Sequence, residues 1–155
     1  KVSTYIIENA KIPVITVPDI RSFQGFQHIM LAADLSDANS ATVADLFKLF
    51  APFSFKIKVV HFITRSKQTD ELSRMKALRM NFSKEEKENL IDFEVVEVAD
   101  DNQKAVDQYV VENKIDLIVF QPHKRSLFYL FFTKNITKKN LFAANVPLLA
   151  IPSKV

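Results

Sequence analysis

Apolar residues along the chain follow two alternating patterns. Ile29-Met30-Leu31-Ala32-Ala33 is a continuous apolar run that stops at Asp34. Runs of this kind suit a parallel strand buried on both faces. Lys56 to Phe62, Phe93 to Val98, Leu117 to Phe120 and Val146 to Ile151 read as four more strands. Between them the apolar spacing turns helical. Ser36 or Asp37 is placed to cap a helix carrying Val43, Leu46, Phe47 and Phe50, with Pro52 just beyond. Thr69 to Leu90 reads as a longer, polar helical region with Leu72, Met75, Leu78 and Phe82 on one side. Ser83 followed by Glu86 has the spacing of a capping box that restarts it. Asp101 or Asn102 precedes a helix with Val106, Tyr109 and Val110 inward, and Thr133 to Ala144 reads as the last helix. Each parallel crossover needs a helix and turns right-handed. The series therefore predicts an α/β fold, an open parallel sheet with helices on both faces.

The first 25 residues stand outside that series, and an internal repeat accounts for them. Ser3 to Pro18 aligns without a gap on Thr137 to Pro152, so Ala10 matches Ala144, Pro13 matches Pro147 and Pro18 matches Pro152. Each copy is a helix tail, a connector and an apolar strand bracketed by prolines. Residues 1–18 are thus expected to be the last helix and strand of a preceding homologous domain. Residues 19–25 form the linker and 26–155 the domain itself.

Composition narrows the chemistry. The 155 residues include one glycine, Gly25, and no cysteine or tryptophan. Without cysteine there is no disulfide framework, thiolate metal site or thiol nucleophile. One glycine, against a usual share of about 7%, argues against a glycine-rich phosphate loop, because a Cβ keeps backbone amides from crowding a phosphate. The net charge of +3, from 21 basic and 18 acidic residues, is a mild surplus. It does not form the stripe of a nucleic-acid binder. No apolar run approaches the ~18 residues of a membrane span. The expectation is a soluble cytoplasmic protein.

Taken in order, several of these segments resemble the universal stress protein family, and in particular a tandem member with two such domains. The resemblance rests on Ile29 to Ser36 as a first strand ending in Asp-x-Ser, on Val59-Val60-His61, and on Asp116-Leu117-Ile118-Val119. It also rests on Asn145 to Pro152, which is similar to the family's final A-x-x-P-V-L-x-V-P strand. It implies a three-layer, Rossmann-like (adenine nucleotide alpha hydrolase-like) sheet of five parallel strands in the order 3-2-1-4-5. An extra N-terminal helix and an antiparallel edge strand would precede it. It further implies that final strands pair antiparallel across a two-fold axis. Val14 to Val17 would then pair with Val146 to Ile151, with Val14, Val17, Val146, Leu148 and Ala150 at a dimer or domain interface.

Nucleotide-binding members carry G-x-x-G, nine residues and G-[ST] after the fourth strand, wrapping phosphates with bare backbone amides. Here the glycine positions fall on Gln121, Lys124 and Lys134, and the hydroxyl position on Asn135; Asp34 is retained. The resemblance therefore implies the branch that does not bind ATP: no cofactor, no catalysis, and a stress-response role through dimerisation and partner contacts. The partner would be a second copy, the preceding domain as a pseudo-dimer, or a protein the sequence does not name. The alternative is a nucleotide-binding module or weak ATPase using Asp34 and the basic loop.

That loop gathers His123, Lys124, Arg125, Lys134, Lys138 and Lys139. They form either an anion site or a solvated basic surface, and the surface is the ordinary case. Leu127 to Phe132 is a run of six apolar residues with basic residues on both sides. Interior filling or domain packing is favoured over membrane contact, because six residues bury little area. His28, His61 and His123 lack the i, i+3 or i, i+4 pairing of a metal site. No nucleophile elbow joins serine, histidine and aspartate. Asp34 as a phospho-acceptor lacks the acidic cluster that Mg²⁺ needs, since only Asp37 is near.

Overall fold

The computed structural model describes residues 2–18, 23–64, 68–99, 103–122 and 146–153. The elements run α1 (Val2–Asn9), β1 (Val14–Thr16), β2 (His28–Ala32), α2 (Ala38–Leu49), β3 (Lys56–Ile63), α3 (Gln68–Met80), α4 (Ser83–Lys87), β4 (Ile91–Glu97), α5 (Gln103–Glu112), β5 (Leu117–Phe120) and β6 (Leu148–Ala150). They build one sheet in the order β1-β6-β5-β2-β3-β4. Neighbours are parallel except β1 and β6, which are antiparallel. The sheet is thus six-stranded and mixed, because β1 is added to the edge of a five-stranded parallel set.

Burial explains this order. The two central strands, β2 and β5, have Ile29, Met30, Leu31, Leu117, Ile118 and Val119 fully buried. Only strands covered on both faces tolerate unbroken apolar runs. Side chains then alternate between two cores. On one face Met30, Val60, Ile118, Phe120 and Leu148 meet Ile7 of α1 and Val106 and Val110 of α5. On the other, Ile29, Leu31, Val59, Val119 and Leu149 meet Val43 and Leu46 of α2 and Met75 and Leu78 of α3. A phenylalanine cluster closes the corner after α2, with Phe26 edge-on to Phe50 at 5.4 Å between ring centres. Asp116, just before β5, aligns the two central strands: its carboxylate accepts the N–H of Gln27 at 2.8 Å and of His28 at 3.2 Å.

Several local expectations are corrected. The polar region does restart at Ser83 as a second helix, but Leu72 is 54% exposed rather than on the buried side with Met75, Leu78 and Phe82. No capping box restarts the helix: Phe82 occupies the cap position without a side-chain bond, and Glu86 turns instead to Arg79 Nε at 3.0 Å. The third strand of the parallel set starts earlier, at Ile91, and the last is shorter, Leu148–Ala150. Gly25, at the end of the expected linker, has a conformational requirement of its own. Its φ of +94° lies in the region that side chains disfavour. The helix expected over 133–144 and the Asp101/Asn102 cap lie outside the described residues.

The β1–β6 ladder pairs Val14 with Ala150, Ile15 with Leu149 and Thr16 with Leu148. Under the internal repeat, Val14, Ile15 and Thr16 correspond to Leu148, Leu149 and Ala150. The ladder is therefore centred on two equivalent residues, Ile15 and Leu149, as a local two-fold axis requires. Val17 lies past its end and is 61% exposed.

Tyr109 of α5 provides a first test. Its hydroxyl donates to Glu94 Oε2 at 2.6 Å, and its ring meets Phe62 edge-on at 5.9 Å. Burial, then the Glu94 hydrogen bond and charge, push the phenol well above its ordinary value. The neutral form is thus favoured by folding, so this contribution is complete below about pH 10 and fades as pH rises beyond it. The urea midpoint of the native sequence should fall more steeply above about pH 10 than that of Tyr109→Phe. Parallel pH curves would remove Tyr109 as the cause.

Candidate functional site

After β2 the chain crosses to β3 on one side, and after β5 it crosses to β6 on the other. The C-terminal ends of these neighbouring strands therefore frame a crevice, the usual ligand position of an open α/β sheet. Asp34 lies on its β2 side and Gln121 on its β5 side, each just beyond its strand.

Asp34 is half-buried, and its Oδ1 accepts the N–H of Ser36 at 2.9 Å. That bond turns the chain toward α2. Leu35 between them has φ of +61°, a left-handed conformation that costs a side-chain-bearing residue roughly 1–2 kcal/mol. Two interactions hold it there. Its side chain is buried, and its N–H donates to Asn39 Oδ1 at 2.8 Å. Asp37 stands at the helix cap with helical backbone angles and no side-chain bond. The helix start thus has no side-chain cap, and Asn39 of its first turn instead accepts the N–H of Leu35 ahead of the helix.

The Asn39 side chain continues across the crevice. Its Nδ2 donates to Gln121 Oε1 at 3.4 Å, Gln121 Nε2 donates to Thr42 Oγ1 at 2.7 Å, and Thr42 donates to the Ala38 carbonyl at 3.1 Å. All three side chains are buried, Asn39 and Thr42 at 1% and 2% exposure. The residue at the first glycine position of the resemblance therefore does more than add a Cβ. Its carboxamide bridges from the end of β5 to the first turns of α2.

His61 of β3 supports the same loop from below. Its Nδ1 lies 2.7 Å from the Ala33 carbonyl. A carbonyl only accepts, so this nitrogen carries the proton. Its Nε2 lies 3.3 Å from Glu71 Oε2 of α3, a short polar contact without a hydrogen bond. A cleft of about 620 Å³ opens beside the crevice, between Ser36, Asp37 and Ser40 on one wall and Arg74 and Asn81 on the other. Asp34 and Gln121 do not line it.

Of the residues singled out in sequence, Asp34 and Gln121 are brought to one crevice. Lys124, Lys134, Asn135, His123, Arg125, Lys138, Lys139 and the run Leu127 to Phe132 lie outside the described residues. Val14, Leu148 and Ala150 meet in the β1–β6 ladder, while Val146 is buried just before β6. Asn39 and Thr42 were missed, although their i, i+3 spacing beside Val43 and Leu46 places two polar groups on an apolar face. Among the described residues no group of three or more His, Asp or Glu could hold a metal ion. Among them also, no helix is long and apolar enough to cross a membrane.

Sheet order, helices packed on both faces and the crevice at the strand reversal define a doubly wound α/β protein. The Universal stress protein family matches residues 25–152, and the chain belongs to that family. No curated protein sequence matches it. In structure it is similar to a universal stress protein from Archaeoglobus fulgidus DSM 4304, at 12% identity and a TM-score of 0.68, covering 98% of this chain. The chain spans only 54% of that protein's length. It is also similar to a universal stress protein family member from Burkholderia pseudomallei, at 17% identity and a TM-score of 0.52, over 84% of this chain and 99% of that one. A third likeness is the Archaeoglobus fulgidus universal stress protein solved in complex with dAMP, at 14% identity and a TM-score of 0.54, over 81% and 97%. At these identities the likeness is one of fold.

Proposed function

We propose that this chain is the second unit of a tandem universal stress protein, a non-catalytic, cytoplasmic stress-response protein that holds no nucleotide. It works by pairing with a homologous unit, whether the preceding domain or a second copy, and by presenting the paired surface to a protein partner. The observation that carries the pairing is the β1–β6 ladder, centred on the repeat-equivalent residues Ile15 and Leu149. The absence of nucleotide is supported by Gln121, whose buried carboxamide spans the crevice to Asn39 and Thr42. A ligand phosphate there meets side chains instead of bare amides.

The second reading is a nucleotide-binding module using Asp34. It is favoured by the family neighbours solved with cAMP and with dAMP. Thermal denaturation with Mg²⁺ and about 5 mM ATP, AMP or cAMP separates the two. A nucleotide at 100-fold its Kd adds about 2.7 kcal/mol, which for a chain of this size raises Tm by roughly 5–10 °C. The expected result is no shift with any of the three. A saturable shift would establish the nucleotide reading in its place.

A further inference from the structure

We infer that the crevice between β2 and β5 is a carboxamide-binding site, built by Asn39 and Thr42, which the protein fills with its own Gln121.

The hydrogen-bond arithmetic is restrictive. The Thr42 hydroxyl has one proton, and that proton is committed to the Ala38 carbonyl. Its Oγ1 therefore faces the crevice as an acceptor. The Asn39 Oδ1 is engaged with the Leu35 N–H, so its Nδ2 faces the crevice as a donor. The site thus offers one acceptor and one donor, both on side chains almost entirely removed from water. Its complement carries a donor and an acceptor on one rigid planar group, which describes a primary carboxamide. A carboxylate presents only lone pairs and would set one against Thr42 Oγ1. An aliphatic group leaves both partners unpaired, and unpaired buried polar groups are what folded proteins avoid. Gln121 satisfies both at once, from 79 and 82 residues away in sequence.

The occupied site also links three elements. β5 reaches α2 through Gln121, and Asn39 passes the connection on to Leu35, held in its left-handed conformation. In effect the protein supplies an internal ligand at the position where open α/β sheets bind external ones. This deepens the nucleotide-free reading and rests on it only for what the crevice excludes. A nucleotide shift in the native sequence would sink that reading, whereas the carboxamide site is tested separately below.

Gln121→Gly removes CH₂CH₂CONH₂, which as a free molecule is propionamide. At about 0.1 M, propionamide should raise the Tm of Gln121→Gly by about 2–4 °C. It should move the native sequence, whose site is filled, by less than about 0.5 °C. Gln121→Leu, which fills the space without hydrogen bonds, should behave like the native sequence, and propionate should not rescue Gln121→Gly. Equal shifts in all three proteins, or equal rescue by propionate, would overturn the inference. The native sequence gives a second measurement should Gln121→Gly fail to fold. Hydrogen exchange of the Gln121 side-chain amide, followed by NMR, should be at least about tenfold slower than that of the exposed Gln24. Equal rates for the two side chains would also overturn it.

Discussion

Ile7→Ala should lower the stability of the folded chain by about 2–4 kcal/mol. Ile12→Ala, five residues along, should change it by less than about 0.5 kcal/mol. The two isoleucines have the same side chain and opposite surroundings. Ile7 of α1 is 2% exposed and belongs to the core formed with α5 and the β5 and β6 side chains of that face; Ile12 is 69% exposed. Removing buried methyl groups costs their transfer energy and leaves a cavity, and neither term applies to a side chain already in water. Urea denaturation reads both variants, as a lowered midpoint at constant slope for Ile7→Ala and an unchanged midpoint for Ile12→Ala. The contrast decides whether residues 2–18 fold cooperatively with the sheet they border. Two equally small effects would show that α1 and β1 dock loosely, and the β1–β6 ladder would lose its weight as a pairing surface. A large loss for Ile7→Ala would make the ladder an integral edge, covering β6, which would otherwise present open backbone groups.

What the sequence disclosed depended on how local its cause was. The central strands were legible because burial on both faces leaves unbroken apolar runs, as in Leu117 to Phe120 and Ile29 to Ala33. β1 was legible through a different signal, its proline-bracketed likeness to the last strand. Elsewhere the deciding partner lay far off in the chain. Leu72 has the spacing of an inward residue, yet α3 is turned so that Met75 and Leu78 take the core. Asp37 has the composition of a cap, but it takes helical backbone angles and its side chain makes no cap bond. His61 fails as a metal ligand by spacing, and that reading could not show its approach to Ala33 and Glu71, which needs β3 and α3 packed. Gln121 shows the same limit most clearly. Its Cβ argues from sequence against a bare phosphate loop, but nothing local says where its carboxamide goes.

That distinction predicts an inversion between the residue the sequence singles out and the one the packing depends on. Asn39→Ala should destabilise the protein by about 2–4 kcal/mol, and Asp34→Ala by only about 1 kcal/mol. Asp34 is half-buried and, among the described residues, bonds to the Ser36 N–H, a bond that water can replace in part once the carboxylate is gone. Asn39 is 1% exposed and makes two bonds. Its removal strands the Leu35 N–H in a conformation that already costs energy, and it leaves Gln121 Oε1 without its donor. Urea denaturation gives the two magnitudes. Amide exchange at Leu35 supplies the local reading, expected to accelerate in Asn39→Ala and to change little in Asp34→Ala. If Asp34→Ala proved the costlier change, the weight of the crevice would lie in its acidic rim. If Asn39→Ala does, the crevice is held together by its amides, and Asp34 is a carboxylate at the edge of a site already occupied from within.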